Sequence, residues 1–122
     1  MIVMMGFYHR KPGMSPEEFR RFWSEVYGPL YSEYPEIKRH IRRYVQHPLS
    51  APAAPPGQSV PFDGIAEAWF DTAEDIARMC EEPIYKKVVG PLLAEFVDME
   101  ASNFTAYDDP IYQIGEPPVP VR

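Results

Sequence analysis

The first eight residues, MIVMMGFY, are apolar at almost every position and stop at the turn-forming run HRKPG, which predicts a short strand covered on both faces. Ser15, Pro16 and Glu18 then form a helix start. Ser15 is the cap, Pro16 takes a position where its missing N–H costs nothing, and Glu18 completes a capping box. Phe19, Phe22, Trp23, Val26, Tyr27, Leu30 and Tyr34 follow at three- and four-residue spacing, the apolar stripe of one helix with a kink or tightening at Gly28 and Pro29. Residues 42–47, RRYVQH, read as a second, more polar strand near a sheet edge. Residues 63–70, DGIAEAWF, read as a third strand, after which Asp71 or Thr72 caps a helix over 73–82. Pro83 restarts that helix over 84–97, and residues 103–107, NFTAY, read as a fourth strand.

The order βαββαβ predicts an α+β, ferredoxin-like fold: a four-stranded antiparallel sheet with both helices on one face. Two segments echo each other, VYGPL at 26–30 and VVGPL at 88–92, and their offset of 62 residues aligns Gly6 with Ala68, Phe7 with Trp69 and Tyr8 with Phe70. Strand alternation then sets Met4, Gly6 and Tyr8 with Ala66, Ala68 and Phe70, and sets Val3, Met5 and Phe7 with Ile65, Glu67 and Trp69. Helices cover only one of these faces. The other exposes Met5, Phe7, Ile65 and Trp69, a patch that predicts a homodimer with sheet against sheet through Met5, Phe7, Ile65, Glu67 and Trp69.

A length of 122 residues fits one domain, expected over 1–107 with a proline-rich loop at 48–61 and an extended proline-rich tail over 108–122. The fifteen prolines accompany 45% hydrophobic residues, so they punctuate a real core instead of signalling disorder. A net charge of −6 and a pI near 5.0 argue against nucleic acid or an anionic membrane as partner. Charge is uneven: residues 1–47 hold eight Lys/Arg against five Asp/Glu, the remainder four against thirteen. The lone Cys80 suits a reducing compartment, and the apolar start is too short for a leader peptide, so a cytoplasmic location is expected.

Gly6 and Ala68 are small residues in central strands, where Val or Ile would ordinarily fill the core. One reading makes them the floor of a cleft, with Gly6, Tyr8, Ala66, Ala68 and Phe70 below and Trp23, Tyr27 and Tyr85 above, binding a small hydrophobic ligand. The other has the aromatics filling the gap. His9, His40 and His47 show no metal-ligand spacing, no glycine-rich phosphate loop is present, and neither metal nor cofactor is expected. Cys80, beside Ile76 and Met79 on a helix, reads as a packed small hydrophobe. Glu67 is a charge in an apolar strand and needs a partner; Arg43 or a hydroxyl across the dimer is expected.

The runs KPGMSPEEF at 11–19, Trp23, YGPL at 27–30, RYVQH at 43–47 and FDGIAEAWF at 62–70 together resemble the EthD domain family over roughly residues 3–107. That resemblance implies a dimeric α/β barrel and chemistry on small cyclic or polyketide-like molecules without metal or nucleotide. Relatives act as isomerases, cyclases, decarboxylases and cofactor-free oxygenases. Many such sequences carry a His where this chain has Tyr27, and related lactone isomerases carry a Cys where it has Ala68. A phenol donates a hydrogen bond at neutral pH but is a poor base. The expectation is a cofactor-independent enzyme in which Tyr27 and Tyr85 polarise a carbonyl or phenolate, with His9 as candidate base although its strand parity aims it at the opposite face. The reaction would be proton transfer, cyclisation or cofactor-free oxygenation. The alternative is a non-catalytic small-molecule binding or accessory protein of a catabolic pathway.

Overall fold

A computed structural model describes residues 1–50 and 62–117. Most of the proline-rich loop, residues 51–61, and the end of the tail, 118–122, lie outside the described residues. The strands are β1 (Ile2–Tyr8), β2 (Arg43–Pro48), β3 (Gly64–Phe70) and β4 (Asn103–Asp108), in the sheet order β2-β3-β1-β4 with antiparallel pairing throughout. The two hydrophobic strands take the centre and the more polar β2 an edge, as the pattern predicts. The fold is α+β and ferredoxin-like, and β1 pairs with β3 so that Gly6 faces Ala66, Met4 faces Ala68 and Val3 faces Trp69. That register keeps the two sets of side chains on the faces expected from alternation.

Between β1 and β2 the chain forms α1 (Pro16–Arg21), a π-helical segment (Phe22–Tyr27), α2 (Leu30–Glu33) and α3 (Pro35–Lys38). Between β3 and β4 come α4 (Ala73–Glu81), a second π-helical segment (Tyr85–Val89) and α5 (Gly90–Phe96). Ser15 caps α1 by accepting from the Glu18 N–H at 3.1 Å, and at α4 the Asp75 carboxylate accepts from the Thr72 N–H and hydroxyl.

The expected tightening at Gly28 and Pro29 is instead a widening, and the sequence echo marks the same device twice. Pro29 and Pro91 have no N–H to donate, and a proline ring crowds the carbonyl four residues back. The preceding glycine reaches one residue further: the Gly28 N–H donates to the Trp23 carbonyl at 2.8 Å, and the Gly90 N–H donates to Tyr85. Each π segment shifts the helical phase by about one residue, roughly 100°, and together they carry Trp23, Tyr27 and Tyr85.

The core lies between helices and sheet, built on Phe19, Trp23, Tyr27, Ile37, Phe70, Val89 and Phe96. The opposite sheet face is less bare than alternation suggests. Trp69 and Val3 are already buried within one protomer, and the Arg43 guanidinium lies 5.8 Å over the Trp69 ring. Met5, Phe7 and Ile65 are half-buried. Glu67 has partners within its own chain: it accepts from the Trp69 indole N–H at 3.0 Å and contacts the His47 ring. Arg43, the expected partner, is committed to the tryptophan. The amino terminus ties down the start of the tail through Asp109 at 3.2 Å.

Candidate functional site

The inner face of the sheet and the two π segments enclose a cavity of about 50 Å³. Gly6, Tyr8, Ala66, Ala68 and Phe70 line it from the strands, and Tyr27 and Tyr85 from the π segments. These are expected site residues, and the fold brings them together. Tyr31, Tyr44 and Cys80 also line it, and none of the three was expected there. Tyr31 falls off the apolar stripe of the first helix and reaches inward only because the π segment resets the helical phase.

The floor is not as open as its small residues suggest. A Cβ on Gly6 would lie 2.6 Å from Tyr8 Cε1 and 2.8 Å from Tyr8 Oη, so the Tyr8 ring already lies over Gly6. A Cβ on Gly64 would meet Trp23 Cζ3 at 2.5 Å. The glycines seat aromatic rings, and the remaining space stands above Ala66 and Ala68. Trp23, expected to touch a ligand, does not line the cavity; it packs behind it, edge-on to Tyr8 at 5.7 Å between centroids. Its indole N–H approaches the Tyr44 hydroxyl but finds no hydrogen bond of full geometry among the described residues.

His9 stands elsewhere. β1 ends at Tyr8, and the His9 ring packs on Phe62 at 4.8 Å, with Phe7 on the same aromatic at 5.5 Å. Its backbone N–H donates to Ser102 Oγ at 2.9 Å, and its side chain lines a separate surface hollow beside Arg10 and Asp63. It shares no space with Tyr27 or Tyr85.

The polar groups of the cavity are phenols and one thiol. The Tyr27 and Tyr31 hydroxyls are 2.7 Å apart, so one donates to the other. The Gln46 amide N–H donates to the Tyr44 hydroxyl at 3.3 Å and to the Trp23 carbonyl at 2.9 Å. The Tyr31 and Tyr44 rings stack with centroids 4.0 Å apart at 11°. Burial raises the pKa of Tyr8, Tyr27 and Tyr31 well above 10.0, with the neighbouring phenols adding to the effect. Burial pushes Tyr44 up to about 12, against the opposing hydrogen bond from Gln46. It also raises Tyr85 and the Cys80 thiol. No Asp, Glu, Lys, Arg or His lines this cavity. Its chemistry is therefore that of neutral hydroxyl donors in an apolar wall, suited to receiving negative charge as it develops on an oxygen. Among the described residues no group of three His, Cys, Asp or Glu side chains is placed to hold a metal ion, and no helix is long and apolar enough to cross a membrane.

Comparison with known proteins places these features in context. A family model described as EthD domain matches residues 11–100. A decarboxylase of Passalora fulva is 30% identical, the match covering 80% of this chain and 68% of that protein. A conidial pigment biosynthesis dehydratase of Metarhizium robertsii is also 30% identical, covering 79% of this chain and 73% of that protein. Among solved structures, a dimeric protein of unknown function from Bacteroides fragilis with a ferredoxin-like fold superposes with a TM-score of 0.62 at 14% identity, covering 88% of this chain and 95% of that one.

Proposed function

The chain belongs to the EthD domain family, and from that premise we propose that it is a cofactor-free enzyme acting on a small cyclic or aromatic, polyketide-like metabolite. The observation that carries this reading is the convergence of five neutral phenols on one apolar cavity that holds no ionised side chain. Decarboxylation, dehydration and proton transfer beside a carbonyl share one requirement: negative charge grows on that carbonyl oxygen. Neutral hydroxyls fixed in an apolar wall stabilise that charge more than they stabilise the ground state. Tyr27 and Tyr31 form the donor pair, in which one O–H is spent on its neighbour and the other is left to aim at substrate. Tyr85 and Tyr44 complete the ring of phenols in the wall. His9 has no part, since it lies outside the cavity. The names of the relatives, decarboxylase and dehydratase, favour this lyase-type chemistry over oxygenation.

The protein works as a homodimer in this reading. Supporting it are the half-buried apolar outer face, the exposure of every residue of β4, and the dimeric structural relative. The test is turnover. With a polyketide acid or β-hydroxyketone that the wild type converts, Tyr27→Phe and Tyr31→Phe each lower kcat about tenfold or more, in the range expected for one oxyanion donor. Unchanged kcat in both variants refutes the assignment.

A further inference from the structure

A second space lies along the outer edge of β2, an open cleft of about 490 Å³ bordered by Tyr31, Ser32, Lys38, Arg42, Arg43 and Tyr44. Sites for small ligands occupy roughly 300–1,000 Å³. The inner cavity, at about 50 Å³, is far below that range, and the outer cleft is within it. The two spaces share a wall. Tyr31 and Tyr44 line both, and their stacked rings, 4.0 Å apart, form the partition. Tyr44 is carried by β2, an edge strand that pairs with β3 alone among the described residues, so this half of the partition stands at the margin of the sheet.

The outer cleft sets aromatic side chains beside positive charge. No Asp or Glu lines it. Arg42 is tied to Asp71 at 2.8 Å and the Arg43 guanidinium lies over Trp69. The Lys38 ammonium has no ion pair or hydrogen bond among the described residues. It stands at the end of α3, where the partial negative charge of the helix terminus does not neutralise a full cation.

We propose that this cleft binds an aromatic carboxylate, with the ring against the Tyr31–Tyr44 stack and the carboxylate on Lys38. The inference rests on the preceding reading and deepens it: the ligand is an aromatic acid, and its anion is held outside the tyrosine partition, remote from the phenol donors. Binding energy from such a remote anchor is available to position the reacting end.

The test uses the purified full chain and two probes of matched shape, 2-naphthoate and neutral 2-naphthol, followed by titration calorimetry at pH 7. The naphthoate binds about tenfold tighter than the naphthol, the gain expected of a hydrogen bond to a charged group. Lys38→Met removes that advantage without changing naphthol affinity, and raised salt weakens naphthoate alone. Tyr44→Ala weakens both probes. Equal affinity of the two probes, indifference of naphthoate to Lys38→Met, or no binding of either overturns the proposal. Because this readout needs no turnover, its failure is separate from that of the donor assignment, which Tyr27→Phe and Tyr31→Phe decide through kcat.

Discussion

Gly6→Ala is the sharpest probe of how the cavity floor is built. The added methyl would stand 2.6, 2.7 and 2.8 Å from Tyr8 Cε1, Cζ and Oη, about 1 Å inside normal carbon contact. The ring must move. It packs edge-on to Trp23 at 5.7 Å and tilted against Phe104 at 5.6 Å, and the cavity lies beside it. Overpacking of this kind costs about 1–3 kcal/mol, while replacing glycine within a strand returns about 0.5–1 kcal/mol. The net loss is about 1–2 kcal/mol, which lowers the Tm of a chain this size by roughly 3–10 °C. Thermal unfolding followed by circular dichroism measures it. In a Tyr8→Ala background the same Gly6→Ala change removes no ring contact, so it becomes neutral or stabilising by up to about 1 kcal/mol. An equal cost in both backgrounds, or a Gly6→Ala protein that melts at or above wild type, refutes the idea that Gly6 exists to seat Tyr8.

Tyr27→Phe removes one partner of a buried 2.7 Å hydroxyl pair and lowers stability by about 1–2 kcal/mol in urea unfolding, because the Tyr31 hydroxyl loses its partner. The cavity phenols have folded pKa values raised above 10.0, so their contribution to stability is complete below that pH and is lost as pH rises toward about 12, the value for Tyr44. Phenolate absorbance from these groups therefore rises together with loss of helical signal, and not before it. Glu82 behaves oppositely: hydrogen bonds from His40 and Arg39 hold its carboxyl below 4.5. The stability gap between wild type and Glu82→Gln is present at neutral pH and closes as pH falls through the acid range below 4.5, seen in pH-dependent melting. Phe7→Asp on the outer sheet face shifts sedimentation equilibrium from dimer to monomer while leaving the Tm of the protomer nearly unchanged, Phe7 being only half-buried there.

The features legible in the residues alone are local and periodic. The strand and helix order, the cap at Ser15, the assignment of β2 to an edge and the sorting of Met4, Gly6 and Tyr8 from Val3, Met5 and Phe7 all follow from alternation and capping, which act within a few residues. The same alternation placed Gly6, Tyr8, Ala66, Ala68 and Phe70 on the cavity face. The remaining features depend on which distant groups meet. Small residues in a strand read alike whether they leave room for a ligand or for a neighbouring ring, and only packing shows that Gly6 and Gly64 receive Tyr8 and Trp23. A Gly-Pro step announces a break in a helix but not its direction; the widening that precedes Tyr31 comes from an N–H that bonds five residues back. Glu67 found Trp69 and His47 within its own sheet, and Tyr44 joined the partition only through its stack with Tyr31 from a helix thirteen residues earlier. Such pairings are set by the register of β2 on β3 and the docking of helices on the sheet, long-range contacts that no window of the sequence contains.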